Sequence, residues 1–162
     1  MMLILKNVIF TALVPGAFGV LVPRWIVSYF HSGQAVRLDG AGWMGLVLIV
    51  RGVAVYFLCL FEFMRAKGTP APIDPPKELV VRGLYRYTRN PMYVGVLCLV
   101  LGQAVTLPSL PLLFYAGVLF VAFHLFVVLY EEPKLTKMFG ESYWNYRHTV
   151  LRWFVMRKRH NS

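Results

Sequence analysis

Apolar residues along this chain fall into four long blocks separated by short charged or proline-rich stretches. The first runs from about Val8 to Phe30 and is interrupted by Pro15, Gly16 and Pro23. Each proline removes a helix hydrogen bond, so a kink or an early end is expected near Pro23. The second block, about Gly42 to Met64, is long enough to cross a bilayer at about 1.5 Å per residue. The third, about Met92 to Leu107, is slightly short for a crossing, and the fourth, about Leu110 to Tyr130, is full length. Only the uncharged run Thr106-Leu107-Pro108-Ser109-Leu110-Pro111 lies between the last two, which predicts a tight helical hairpin. The pattern predicts an all-α integral membrane protein with about four transmembrane helices.

The segments between and after the blocks are patterned too. Residues 68–76 contain four prolines, which fix much of the backbone and disfavour helix. Leu79, Val80, Val81, Leu84 and Tyr85 then make the connector too apolar for a solvated loop. A structured cap packed on the helix ends is expected. In the tail, Tyr143, Tyr146, Val150 and Trp153 recur at three- and four-residue steps, with Arg147, His148 and Arg152 off that stripe. This predicts a C-terminal amphipathic helix that lies in the interface or closes over the cap. Gly140 is placed to end a helix begun near Tyr130 and to let this second one start. The chain divides as one membrane domain, 1–162: two spans in 1–64, the connector cap in 65–91, the hairpin in 92–130 and the helical tail in 131–162.

Composition strengthens the membrane reading. With 162 residues the chain is one domain, and 58% of it is hydrophobic, above the roughly 45–50% of soluble domains. A soluble fold this small leaves about a third of its chain surface exposed, so lipid must cover the excess. The net charge of +10 sits between and after the apolar runs, as a membrane protein requires, and no nucleic-acid partner is expected. Six positive residues lie in the connector (Arg65, Lys67, Lys77, Arg82, Arg86, Arg89) and seven beyond Tyr130, while the turn between the last two spans has none. The excess of positive charge predicts a multi-pass protein with connector and C-terminus cytoplasmic, against which Arg24 and Arg37 in the first loop would face outward. Cys59 and Cys98 have no partner at ligand spacing, so no metal site is expected. The first apolar run continues to Phe30 without an A-x-A-like cleavage site, so it is expected to be retained.

Three places exceed what a membrane anchor needs. The first is Gly83 to Gly95, where Asn90-Pro91 opens the third span. Pro91 stands where a missing N–H costs nothing, and the helix N-terminus beside Arg89 favours an anion. Tyr85, Tyr87 and Tyr93 add aromatic faces for a planar base or a cation. Tyr and Arg also crowd membrane interfaces as anchors, so both readings fit these residues. The second place is Glu131-Glu132 at the end of the fourth span, where a carboxylate pair is unfavourable unless a cation relieves it. Neighbouring basic residues or a ligand would serve equally. The third is the set of polar groups within the spans: Arg51, Glu62, Gln103 and His124. Such groups are costly and default to functional candidates. His124 precedes Glu131 by two helical turns, on a face shared with Gly117, Val121 and Val128, which suggests a polar stripe lining a substrate cavity. Gln103 fits interhelical packing better, and the seven-residue spacings Gly45/Gly52 and Gly95/Gly102 read as close-packing faces.

The run LVVRGLYRYTRNPMYVG, a hydrophobic hairpin, and then EEPKLTKMFGESYWNYR resemble the isoprenylcysteine carboxyl methyltransferase and phospholipid methyltransferase superfamily. That signature is approximately Arg-His/Asn-Pro-x-Tyr-x-Gly followed by Glu-Glu-x-x-Leu-x-x-x-Phe-Gly-x-x-Tyr, and the match covers about Gly68 to Tyr146. The resemblance implies a membrane-embedded methyltransferase using S-adenosylmethionine, bound under the cytoplasmic cap. Carried over by position, Lys77, Glu78, Leu79, Val80 and Tyr85 would line the cofactor pocket. Asn90, Pro91, Met92 and Tyr93 would close it from the third span and Glu131 from the fourth, with Arg89 and the helix N-terminus beside the cofactor carboxylate. Arg51, His124 and Glu132 are the substrate-side candidates. The expected partners are membrane lipids and a lipophilic or lipid acceptor taken from the bilayer.

The chain departs from the carboxyl methyltransferases at Asn90, where they carry His, and at Val127, where they carry Arg. Val150-Leu-Arg152 replaces the more usual Val-Pro after the last tyrosine. These differences bear on the prenylcysteine substrate more than on methyl transfer. Sterol reductases, which bind NADPH through a similar C-terminal motif pair, are the enzymatic alternative; they are longer, with more spans. A helical scaffold or small transporter, binding neither cofactor, is the non-enzymatic one.

Overall fold

The computed structural model describes residues 9, 12–30, 36, 39–66 and 78–153. The proline-rich run 68–76, Lys67, Lys77, Arg37 and the last three basic residues, Arg157, Lys158 and Arg159, lie outside the described residues. Every extended element described is helical, with no strand among the described residues.

The first apolar block folds in two pieces. Residues Ala12–Leu21 form a wide helical stretch containing Pro15, and helix α1 follows as Val22–Phe30 with Pro23 at its start. The break falls where a proline cannot donate to the helix ladder, as expected. Helix α2, Gly40–Arg65, starts at Asp39, whose carboxylate accepts from the Gly42 amide at 2.9 Å. Such a cap satisfies one of the orphan donors at a helix start. Helix α3, Pro91–Thr106, turns tightly into α4, Leu110–Phe126, where the Ser109 hydroxyl accepts from Leu112 N. The hairpin is therefore present.

Helix α4 does not stop at the end of the apolar block. It runs through a wide turn, Val127–Glu131, into α5, Glu132–Phe139, as one 30-residue helix. Pro133 explains the wide turn: its ring would collide with a regular helix four residues earlier, and an extra residue in the turn relieves this. At Gly140 the backbone reaches φ +52, a left-handed conformation that glycine adopts cheaply. There the chain breaks and α6, Glu141–Thr149, begins.

Among the described residues, two helices are long and apolar enough to cross a bilayer: Gly40–Arg65, with mean hydropathy 2.3, and Leu110–Phe139, with 2.5. Only 22% and 28% of their most apolar windows are buried. The core helix of a soluble protein would bury most of such a window. Here Trp43, Met44, Phe57 and Leu58 on α2, and Leu113, Phe114 and Val118 on α4, all lie exposed. The 16 residues of α3 reach about 24 Å, short of the roughly 30 Å of a hydrocarbon core.

The helices pack through small residues. Gly52 on α2 meets Gly95 on α3, and Gly45 meets Gly102, each backbone against backbone. A Cβ on Gly52 would lie 2.6 Å from the Gly95 carbonyl oxygen. The seven-residue glycine spacing is thus a packing seam, and dispersion at close approach holds helices together where lipid offers no hydrophobic drive. Gln103 donates to the Gly19 carbonyl at 2.8 Å and ties α3 to the first helical stretch, as its packing role requires. Tyr115 does the same from α4 to Phe18. The core under the connector gathers Tyr56, Cys59, Tyr85, Met92, Val96 and Phe123.

Candidate functional site

The site forms where the connector enters α3. Gly83, at φ +56, begins a single tight helical turn, Gly83–Arg86, that swings Tyr85 into the core. Burial pushes the Tyr85 hydroxyl well above its ordinary pKa, so it stays a neutral phenol. Thr88 and Asn90 are buried polar residues at the mouth of α3, and Pro91 occupies its first turn. Buried polar groups need partners, and theirs come from far along the chain.

Those partners are backbone carbonyls of residues 151–152. The Arg89 amide donates to the Leu151 carbonyl at 2.9 Å, and the Thr88 hydroxyl and the Asn90 amide group both donate to the Arg152 carbonyl, at 3.0 and 3.1 Å. The tail stripe therefore divides. Tyr143 and Tyr146 face inward from α6, and the Tyr146 hydroxyl donates to the Tyr85 carbonyl at 2.7 Å. Val150 and Trp153 do not continue that helix, which ends at Thr149 with Val150 extended. Residues 150–153 form a strap laid across the connector. Three- and four-residue spacing suggested helix, but the helix stops at Thr149, and the Arg89 amide and the Thr88 and Asn90 side chains take the carbonyls that follow. Burial raises the Tyr143 and Tyr146 hydroxyls above their usual values, with Arg89 opposing.

The two glutamates do different things. Glu132 is buried and accepts from the Arg152 guanidinium at 2.6 and 3.0 Å, in a two-point pair, and forms an ion pair with Arg89 at 3.1 Å. This pairing raises the Arg152 pKa, the hydrogen bond to Glu132 being the main cause. Arg89 also donates to the Tyr143 hydroxyl at 3.2 Å, while its buried Nε has no protein partner among the described residues. Glu131 instead accepts from the Tyr93 hydroxyl at 2.5 Å and enters no ion pair among the described residues. The Tyr93 ring packs on Phe123 with centroids 4.6 Å apart.

Val80, Tyr85, Met92 and Tyr93 thus share one cluster, Asn90 and Pro91 stand at its edge, and Glu131 joins through Tyr93. Glu78 is exposed, and Leu79 is half-buried beside Glu62 and Arg65 in a small recess. Lys77 lies outside the described residues. His124 accepts from the Trp153 indole at 3.0 Å, and Gly117 and Val121 on its predicted face are exposed. The wide turn between His124 and Glu131 changes the helical phase, so the two reach different partners and the polar stripe is not continuous. Arg51 is exposed on α2, within electrostatic reach of Cys98, and is not gathered into this cluster. Sequence reasoning missed Thr88, Tyr143, Arg152 and Trp153 as site-forming residues. The signal for Arg152 was present as the departure from Val-Pro after the last tyrosine.

The described residues thus form a helical bundle with two bilayer-length helices and a polar clasp that joins the Arg-Asn-Pro turn to the Glu-Glu helix end. The chain matches the phospholipid methyltransferase family over residues 40–142 and belongs to that family, within the superfamily that the motif pair resembles. It is a membrane-associated member of a methyltransferase family. No curated protein and no solved structure matches it.

Proposed function

We propose that this protein transfers a methyl group from S-adenosylmethionine to a lipophilic acceptor drawn from the bilayer. It does so as a four-span protein with its connector and C-terminus cytoplasmic. The observation that carries the proposal is the Tyr93–Glu131 contact. It links the two motif elements, 38 residues apart, at one point beside the aromatic ring of Phe123.

The residues fit a cationic methyl donor. Glu131 is a carboxylate set among aromatic rings with no ion pair among the described residues. Such a group suits a sulfonium or an ammonium, and the tyrosine faces reinforce it. Asn90 and the amides at the start of α3 suit the donor's carboxylate. Leu79, Val80, Met92 and Tyr85 supply apolar and aromatic walls, with Glu78, Arg89 and Pro91 around them. The donor, when bound, supplies a carbon already activated for displacement. The protein's own task is to align the acceptor and exclude water.

The strap holds Asn90, and the Tyr93 hydroxyl fixes the rotamer of Glu131. Glu132 is best read as the anchor that holds Arg89 and Arg152, and His124 as the acceptor that seats Trp153. A carboxylate acceptor needs no base, whereas an amine must lose a proton, for which His124 is a candidate.

Calorimetric titration of S-adenosylmethionine and NADPH into detergent-purified protein tests the proposal. Binding of the first is expected, and NADPH binding without it would overturn the reading. Mass spectrometry of lipid extracts incubated with isotope-labelled donor then identifies the acceptor.

A further inference from the structure

We propose that the flank of α2 bearing Arg51 docks a transmembrane helix of another protein, one that carries an aspartate or glutamate at mid-bilayer depth. Arg51 lies eleven residues after the start of α2, Gly40–Arg65, and fourteen before its end. At 1.5 Å per residue those ends are about 17 and 21 Å away. The hydrocarbon core is about 30 Å thick, so Arg51 sits near its middle, beyond the reach by which arginines at helix ends return to the interface. Its side chain is exposed and has no ion pair among the described residues. A charge at this depth is costly unless an opposite charge meets it. Its neighbours on the same face are apolar: Met44 and Leu58, seven residues to either side, are 68% and 56% exposed.

Gly52 faces α3 across the seam, and the residues before and after it point about 100° to opposite flanks. On the Val53 side, Pro15 and Val20 of the first helical stretch border a crevice with Val53 and Phe57. On the Arg51 side the neighbour from α3 is Cys98, half-buried and within electrostatic reach. The described carboxylates stand elsewhere. Asp39 caps the start of α2, Glu62 lies in its last turn, and the others belong to the connector, the end of the fourth apolar block and the tail. A second copy therefore brings none of them to this depth, and a two-fold dimer on this flank would set Arg51 against Arg51. A guanidinium keeps its proton in proteins and binds a carboxylate at two points. A helix with one acidic residue at mid-depth is its complement.

Energy transfer in phosphatidylcholine vesicles tests this, between the dye-labelled protein and a labelled leucine–alanine peptide of about 20 residues, enough to span. The peptide carries either one glutamate or one leucine at its centre. The glutamate peptide is expected to associate roughly tenfold or more tightly than the leucine one, the scale of a charge-assisted hydrogen bond. Arg51→Leu should abolish that difference and Arg51→Lys should keep most of it, while the peptide comparison on the wild-type protein stands without any variant. Equal association of the two peptides, or a glutamate preference that survives Arg51→Leu, would overturn the proposal. Energy transfer between two labelled copies of the protein, lost in Arg51→Leu, would overturn it by assigning the flank to a second copy. The assay contains no methyl donor, so its outcome depends on α2 crossing the bilayer and not on the proposed activity.

Discussion

The glycine seam between α2 and α3 and the clasp between connector and strap hold the protein by opposite means. At the seam, Gly52 and Gly95 touch through backbone, as do Gly45 and Gly102, with no room for a side chain. At the clasp, residues more than 60 positions apart meet through hydrogen bonds, and Glu132 pairs with Arg89 and Arg152. The seam depends on size and is blind to charge. The clasp depends on charge and on direction, and it carries the residues proposed for chemistry. The helices are thus set by shape inside the apolar layer, while the site is set by polar geometry at its edge.

The sharpest way to break the comparison is to remove the clasp's anchor. Glu132→Ala leaves the buried Arg89 without its ion pair, and stripping one partner from a buried pair costs about 3–5 kcal/mol. A large fall in the melting temperature of the detergent-solubilised protein is expected, and an unchanged melt would show that the pair contributes nothing. Gly52→Ala comes next. Its methyl would lie 2.6 Å from the Gly95 carbonyl oxygen, and overpacking of this kind costs about 1–3 kcal/mol. The same melt should fall, and an unaltered one would mean that the seam can open freely.

Legibility in the sequence follows the same division. Helices α2 and α4 were readable because lipid-exposed helices must be long, apolar runs, α3 was readable as a shorter apolar run opened by Pro91, and the glycine spacings announced the seam. Pro23 and Gly140 marked breaks through local backbone chemistry. The strap was not readable. Val150 and Trp153 obey a helical spacing, yet the helix ends at Thr149 and Arg89, Thr88 and Asn90 donate to the carbonyls beyond it. No local pattern reports a partner 60 residues away. The wide turn at Val127–Glu131 could have been inferred from Pro133, and with it the loss of the His124–Glu131 face. Tyr93 and Glu131 were each named from their motifs, but their contact is a fact of folding.

Smaller changes sharpen the contrast. Asn90→Ala removes one hydrogen bond to the Arg152 carbonyl, worth about 1 kcal/mol. The melt should fall slightly, while methyl transfer in a labelled-donor assay should fall further, because the strap no longer positions the start of α3. Equal losses in both would make Asn90 a structural residue only. Gly117→Ala, at an exposed position with nothing within 4 Å of a new methyl, should leave the melt unchanged or raise it by under about 1 kcal/mol through helix propensity. A destabilised Gly117→Ala would put a packing contact where none is described.

The central claim is that Glu131 faces a cation. Its most direct test is calorimetric titration of S-adenosylmethionine and of its uncharged-sulfur product, S-adenosylhomocysteine, into the wild type and Glu131→Gln. The substitution is expected to weaken binding of the sulfonium compound more than that of the thioether. Equal weakening of the two, or no change in either, would contradict it.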